Sequence, residues 1–98
     1  MQFDYIIIGA GSAGCVLANR LTNNSQNKVA VFEAGAPSDI WKVKMPLALL
    51  YTMHDPKYNW KYYSEPEPHL NNRRLFCPRG KMIGGSSAHN GMVFVRGN

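Results

Sequence analysis

Tyr5-Ile6-Ile7-Ile8-Gly9-Ala10-Gly11-Ser12-Ala13-Gly14-Cys15-Val16-Leu17-Ala18 is the stretch that decides the fold. Its first four residues form a continuous β-branched and aromatic run halted by glycine, which predicts a strand buried on both faces. From Ser12 to Leu21 the apolar positions take helical spacing, with Ala13, Val16, Leu17, Ala18 and Leu21 as the buried side. The polar stretch Thr22 to Asn27 closes the helix, and Lys28 to Glu33 resumes as a second strand. Strand, helix and strand in this order imply a parallel pair joined by a right-handed crossover.

Gly9, Gly11 and Gly14 match G-x-G-x-x-G, a weak signal in isolation. Between a strand and a helix each glycine gains a steric reason. Gly9 permits the tight turn, Gly11 lets backbone approach a pyrophosphate, and Gly14 lets the helix pack close to the sheet. The anion would sit at the helix N-terminus, opened by Ser12 and Ala13, where unpaired amides and the helix dipole face it. Glu33 ends the second strand about 20 residues on, where a carboxylate accepts hydrogen bonds from a ribose diol and disfavours a 2′-phosphate. This unit alone leaves NAD and FAD open, although Glu33-Ala34-Gly35 resembles the FAD-binding form.

The rest of the chain is less regular. Residues 34 to 39 read as loop, Pro46 suits the first turn of a short helix reaching Met53, and Asn59 to Ser64 is aromatic-rich and strand-like. Glu65-Pro66-Glu67-Pro68 is stiff and extended, and Asn71-Asn72 signals a turn before Arg73 to Cys77, so this region reads as a hairpin-type excursion. Pro78 onward passes from a glycine-rich loop into a helix expected from Ser86 to Phe94.

Composition bounds the function. The 98 residues, 45% hydrophobic and 17% charged, suit a globular chain but are short for a two-domain oxidoreductase. The net charge of +5 would suit an anionic partner, yet the cations are scattered without a basic stripe, so nucleic acid is set aside. The two cysteines, Cys15 and Cys77, show neither C-x-x-C nor metal-type spacing; both read as reduced intracellular thiols, with Cys15 as buried packing. No metal site is expected, and His54 and His69 read as surface residues. The start shows no export signal, and no apolar run reaches the ~20 residues a membrane span requires. A cytoplasmic location is expected, with peripheral membrane association left open for a longer enzyme.

The run Pro78-Arg79-Gly80-Lys81-Met82-Ile83-Gly84-Gly85-Ser86-Ser87-Ala88-His89-Asn90-Gly91-Met92-Val93-Phe94 resembles the first signature of the glucose-methanol-choline (GMC) oxidoreductase family. With the opening glycine motif, the resemblance spans both ends of the chain and is closest to the choline-dehydrogenase-like branch. It implies an α/β, partial Rossmann-type FAD-binding domain: a βαβ unit, an extended excursion and a C-terminal helix. Independently of the family, Gly84-Gly85-Ser86-Ser87 offers bare amides and two hydroxyls to a phosphate or ring oxygen. By resemblance Ala34, Arg79, Gly80, Gly84, Gly85 and Ser86 lie along the FAD, while His89, Asn90, Gly91, Met92 and Val93 approach the isoalloxazine. His89 stands where an aliphatic residue is more usual and is similar to the choline oxidases' flavin-carrying histidine. A covalent 8α-histidyl link and a noncovalent neighbour of the flavin's dimethylbenzene edge both stay open.

What the resemblance implies is an FAD-dependent oxidoreductase that oxidises the CH-OH group of an alcohol such as choline, with hydride passing to flavin N5 and an electron acceptor reoxidising the flavin. The family's catalytic histidine lies near the C-terminus of a much longer chain, so no catalytic residue is assigned. Residues 1–98 are therefore expected to be the N-terminal part of an FAD-binding domain, without the substrate domain and C-terminal catalytic segment. The alternative is a truncated product acting only as a nucleotide-binding or interaction module. An NAD-dependent dehydrogenase ranks third, because it leaves residues 84 to 87 unexplained. A lone βαβ pair leaves sheet edges and apolar faces uncovered, so self-association is expected.

Overall fold

A computed structural model describes residues 2–91 and 95–97. Strand β1 (Tyr5–Ile8), helix α1 (Ser12–Thr22) and strand β2 (Val29–Phe32) form the expected βαβ unit. The strands pair in parallel, with Tyr5 opposite Val29 and Ile8 opposite Phe32. Gly9 makes the turn at φ +92°, a conformation costly for any residue with a Cβ. Gly14 is buried where α1 meets β1: a Cβ there would lie 1.9 Å from the Gly9 carbonyl oxygen and 3.4 Å from Ile7 Cγ2.

Burial of this unit is one-sided, which corrects three expectations. Only Ile7 of β1 is buried; Ile6 and Ile8 are 62% and 81% exposed. Side chains alternate across a strand, and α1 covers one face of a sheet with two strands. On α1, Ala13, Val16 and Leu17 are likewise exposed, and the half-buried Ala18 and Leu21 continue the contact from Gly14 at helical spacing. Cys15 is exposed rather than packed inside.

After β2 and the loop expected at residues 34 to 39, the chain forms α2 (Trp41–Lys44), an element the sequence pattern does not announce, then a 3-10 turn (Pro46–Ala48) leading into α3 (Leu49–His54). Pro46 opens the 3-10 turn as expected, since it needs no amide partner there. The hairpin is antiparallel, β3 (Tyr62–Tyr63) against β4 (Phe76–Cys77), with Tyr63 opposite Phe76. Asn71 and Asn72 both adopt left-handed backbone in its return.

Outside the βαβ unit Ala48, Tyr58 and Met82 are buried, as are Thr52 and Asn59. The Asn59 side chain bonds in three directions: its amide donates to the Met53 carbonyl at 2.8 Å, and its Oδ1 accepts from Lys61 N–H at 2.7 Å and Arg79 N–H at 3.0 Å. One buried amide thus pins α3 to the segment entering the second glycine turn.

The helix expected from Ser86 to Phe94 is shorter and tighter. It is a 3-10 turn, Gly85–His89, after which Asn90 is extended at ψ 165°. The Ser87 hydroxyl donates to the Gly84 carbonyl at 2.6 Å, competing with the backbone bond that an α-helix would make there. Residues 92 to 94, on which the end of that helix falls, lie outside the described residues.

Candidate functional site

The two glycine turns meet at Ala10, a residue the motif leaves unspecified. Its buried peptide reaches two ways: the N–H donates to Glu33 Oε2 at 2.7 Å, and the carbonyl accepts from Gly84 N–H at 2.6 Å and from Cys15 Sγ at 3.2 Å. Glu33 Oε1 accepts from Gly35 N–H at 2.8 Å. The acid therefore fastens the first turn to the end of β2, and each of its oxygens retains acceptor capacity beyond the bond it makes.

The second turn is held from the other side. Ala36 and Met82 form a bridge, with Ala36 N–H donating to the Lys81 carbonyl at 3.3 Å and Ile83 N–H to the Ala36 carbonyl at 3.2 Å. A Cβ on Gly35 would fall 2.1 Å from the Lys81 carbonyl carbon, so glycine is what allows this approach. Gly84 and Gly85 have φ +90° and +58°, and a Cβ on Gly85 would sit 3.0 Å from Gly11 Cα. The turns are in backbone contact.

Around this junction lies a cavity of about 280 Å³ lined by Ile8, Gly9, Gly11, Phe32, Glu33, Ala34, Trp60, Gly80 and Gly85. The chemistry of its wall fits a dinucleotide. A Cβ on Gly9 or Gly11 would meet nothing within 4 Å, so at both positions the glycine leaves open space. Helix α1 has no side-chain cap and no acidic residue in its first turn, and its first backbone bond is Cys15 N–H to the Gly11 carbonyl. The amides before Cys15 have no intrahelical acceptor and suit an anion.

Of the residues expected along a cofactor, Gly9, Gly11, Glu33, Ala34, Gly80 and Gly85 line this cavity. Others do not. The Arg79 guanidinium donates to the Pro78 carbonyl at 2.7 Å. Gly80 owes its missing side chain to packing as well, since a Cβ would lie 2.3 Å from the Gly85 carbonyl oxygen. Neither serine hydroxyl is wholly available: Ser86 Oγ accepts from Gly80 N–H at 3.0 Å, and Ser87 donates to Gly84. Ser12, Ala13, Gly14 and Gly84 shape the turns without lining the cavity. Trp60, Ile8 and Phe32 line it without having been singled out as binding residues.

Ser86, His89, Asn90 and Gly91 instead surround a second cavity of about 240 Å³, with Met53 and Pro78. His89 is half-buried, and its Nδ1 is buried with no hydrogen-bond partner among the described residues. Burial pushes its pKa below the ordinary histidine value, favouring a neutral ring. Met92 and Val93 lie outside the described residues. His54 and His69 are exposed; His54 Nδ1 bonds to the Leu50 carbonyl at 2.8 Å, and its ring stacks on Phe76. Among the described residues no cluster of metal-ligating side chains occurs, and no helix is long and apolar enough to cross a membrane.

Comparison with known proteins gives the family and the fold. The chain is 59% identical over 98 residues to the oxygen-dependent choline dehydrogenase of Sinorhizobium fredii and 56% identical over 100 residues to that of Klebsiella pneumoniae subsp. pneumoniae. In both cases all of this chain is covered, and it spans 18% of the relative's length. The crystal structure of pyridoxine 4-oxidase from Mesorbium loti superposes with a TM-score of 0.87 at 33% identity, covering 98% of this chain and 19% of that one. The GMC oxidoreductase family model matches residues 3–98, and the chain belongs to that family.

Proposed function

We propose that this chain binds FAD as part of a flavin-dependent oxidoreductase acting on the CH-OH group of an alcohol such as choline. In this reading residues 1–98 form the N-terminal part of an FAD-binding domain. The observation that carries it is the junction at Ala10, where the Gly84 N–H bond and the Glu33 carboxylate draw both glycine turns onto one cavity. The uncapped start of α1 suits the pyrophosphate, Glu33 the adenosine ribose, and Ala34 and Trp60 the wall beside them. The cavity of His89, Asn90 and Gly91 suits the isoalloxazine end; Met92 and Val93 are assigned to that end by the family resemblance alone. When bound, the flavin supplies the hydride acceptor. The residues present here bind and orient it; none is assigned as the base that takes the alcohol proton.

The names of the choline dehydrogenase relatives support choline or a similar small alcohol as substrate, with an electron acceptor completing the cycle. The unpaired Cys15 and Cys77 fit a reducing compartment, and the reading includes a cytoplasmic location. Titration with FAD, NAD and NADP, followed by calorimetry, tests the cofactor. Binding of FAD without measurable NADP binding is expected, and equal affinity for NAD would overturn the choice of flavin. We read His89 as a noncovalent neighbour of the flavin: acid precipitation of the FAD-loaded protein should release the yellow colour to the supernatant. Colour kept in the pellet would establish the covalent link instead.

A further inference from the structure

Trp60 is 41% exposed, yet it forms part of the wall of the Glu33 cavity, and its neighbours explain how it is held there. Residues 58–60 and 79–81 run antiparallel. Trp60 N–H donates to the Arg79 carbonyl at 2.9 Å, Lys81 N–H donates to the Tyr58 carbonyl at 2.8 Å, and Asn59 faces Gly80 as a bridge pair. This register sets Lys81 diagonal to Trp60, a spacing that long side chains and aromatic rings can span. Lys81 Nζ lies 4.7 Å from the Trp60 ring centroid, over the indole face. Arg79 leaves that face to Lys81, because its guanidinium donates to Pro78. The Tyr62 ring also stacks on Trp60, with centroids 6.1 Å apart and planes 3° apart.

We propose that Lys81 is a positioning residue whose ammonium holds the Trp60 indole in the cavity wall before a ligand enters. Lys81 does not itself line the cavity, so it acts through Trp60. A side chain ordered in advance removes part of the entropy that binding must otherwise overcome. The inference rests on the FAD reading of this cavity. The strength of an ammonium on a partly exposed indole corresponds to about a two- to fivefold change in an equilibrium constant.

The chain has two tryptophans, and Trp41 is 64% exposed, so a W41F background makes Trp60 the sole indole reporter. In that background K81M and K81R are compared by acrylamide quenching and anisotropy of Trp60 emission, and by FAD titration. K81M should raise quenching, lower anisotropy and weaken FAD binding about two- to fivefold. K81R should restore all three, since guanidinium also stacks on indole. Should K81M not fold, K81Q takes its place. Unchanged Trp60 quenching in the neutral variant overturns the proposal, as does a freed Trp60 with undiminished FAD affinity, or equal damage from K81R. If the W41F parent binds no FAD, the cofactor reading fails and the quenching comparison alone decides the clamp.

Discussion

Gly11 and Gly14 belong to one motif but answer to different physics, and alanine at each should separate them. At Gly14 the new Cβ would lie 1.9 Å from the Gly9 carbonyl oxygen. Restoring ordinary contact requires α1 to retreat from β1 by more than about 1 Å, a gap that forfeits up to half of the dispersion contact along the interface. That interface buries Ile7, whose side chain is worth about 1.5–3 kcal/mol, and overpacking adds its own strain of about 1–3 kcal/mol. A loss near 3 kcal/mol follows, which in a domain of this size lowers the thermal midpoint by about 12–24 °C. At Gly11 the backbone is extended, with φ −76° and ψ −168°, and a Cβ meets nothing within 4 Å. Gly11→Ala should therefore leave stability within about 0.5 kcal/mol of the parent. In the proposed site, however, its methyl blocks the pyrophosphate from the helix amides, and losing one charge-assisted bond of about 2 kcal/mol weakens FAD roughly 30-fold. Circular dichroism melts of the ligand-free proteins and FAD titration of the folded ones make the comparison. A Gly14→Ala midpoint within about 4 °C of the parent, or equal destabilisation by Gly11→Ala, would refute the reasoning.

Glu33→Gln keeps one acceptor but turns an NH2 donor toward the other backbone N–H, so the ligand-free protein should lose about 2 kcal/mol. An unchanged urea midpoint would reject that account of the turn. Because burial lowers the His89 pKa, the unfolded chain takes up this proton at higher pH than the folded one. The stability that neutral His89 contributes is thus present above the ordinary value of 6.5 and is lost as pH falls below it. Urea midpoints between about pH 7 and pH 5 should fall more steeply for the parent than for His89→Phe, and parallel slopes would contradict this. Ile6, Ile8 and Phe32 are 62%, 81% and 59% exposed on the sheet face away from α1, and among the described residues no further strand pairs with either edge of this sheet. Sedimentation should show concentration-dependent association that Ile8→Lys reduces; a monomer at all concentrations would count against it.

The βαβ unit was legible because its signals are local. A β-branched run, glycines at fixed offsets and a terminal acid each act over a few residues, and β1, α1 and β2 fall within a residue or two of where the pattern set them. The hairpin and its asparagine return were readable for the same reason. The second glycine turn was singled out through its family resemblance, and the structure brings it against the first turn at Ala10.

Only the tertiary structure decided how these pieces share one site, because that depends on backbone groups far apart in the chain. Ala10, silent in the motif, joins Glu33 to Gly84 through its peptide, and no side-chain type announces a peptide that bonds in both directions. Gly35 and Gly80, whose sequence context suggests loop or ligand, are glycines because another backbone passes within van der Waals distance. The same crowding engages the Ser86 and Ser87 hydroxyls within their own loop and limits the 3-10 turn to Gly85–His89. Composition and periodicity determine which segments become strands and helices. Which of their atoms remain open to a cofactor is settled only when the turns close on one another.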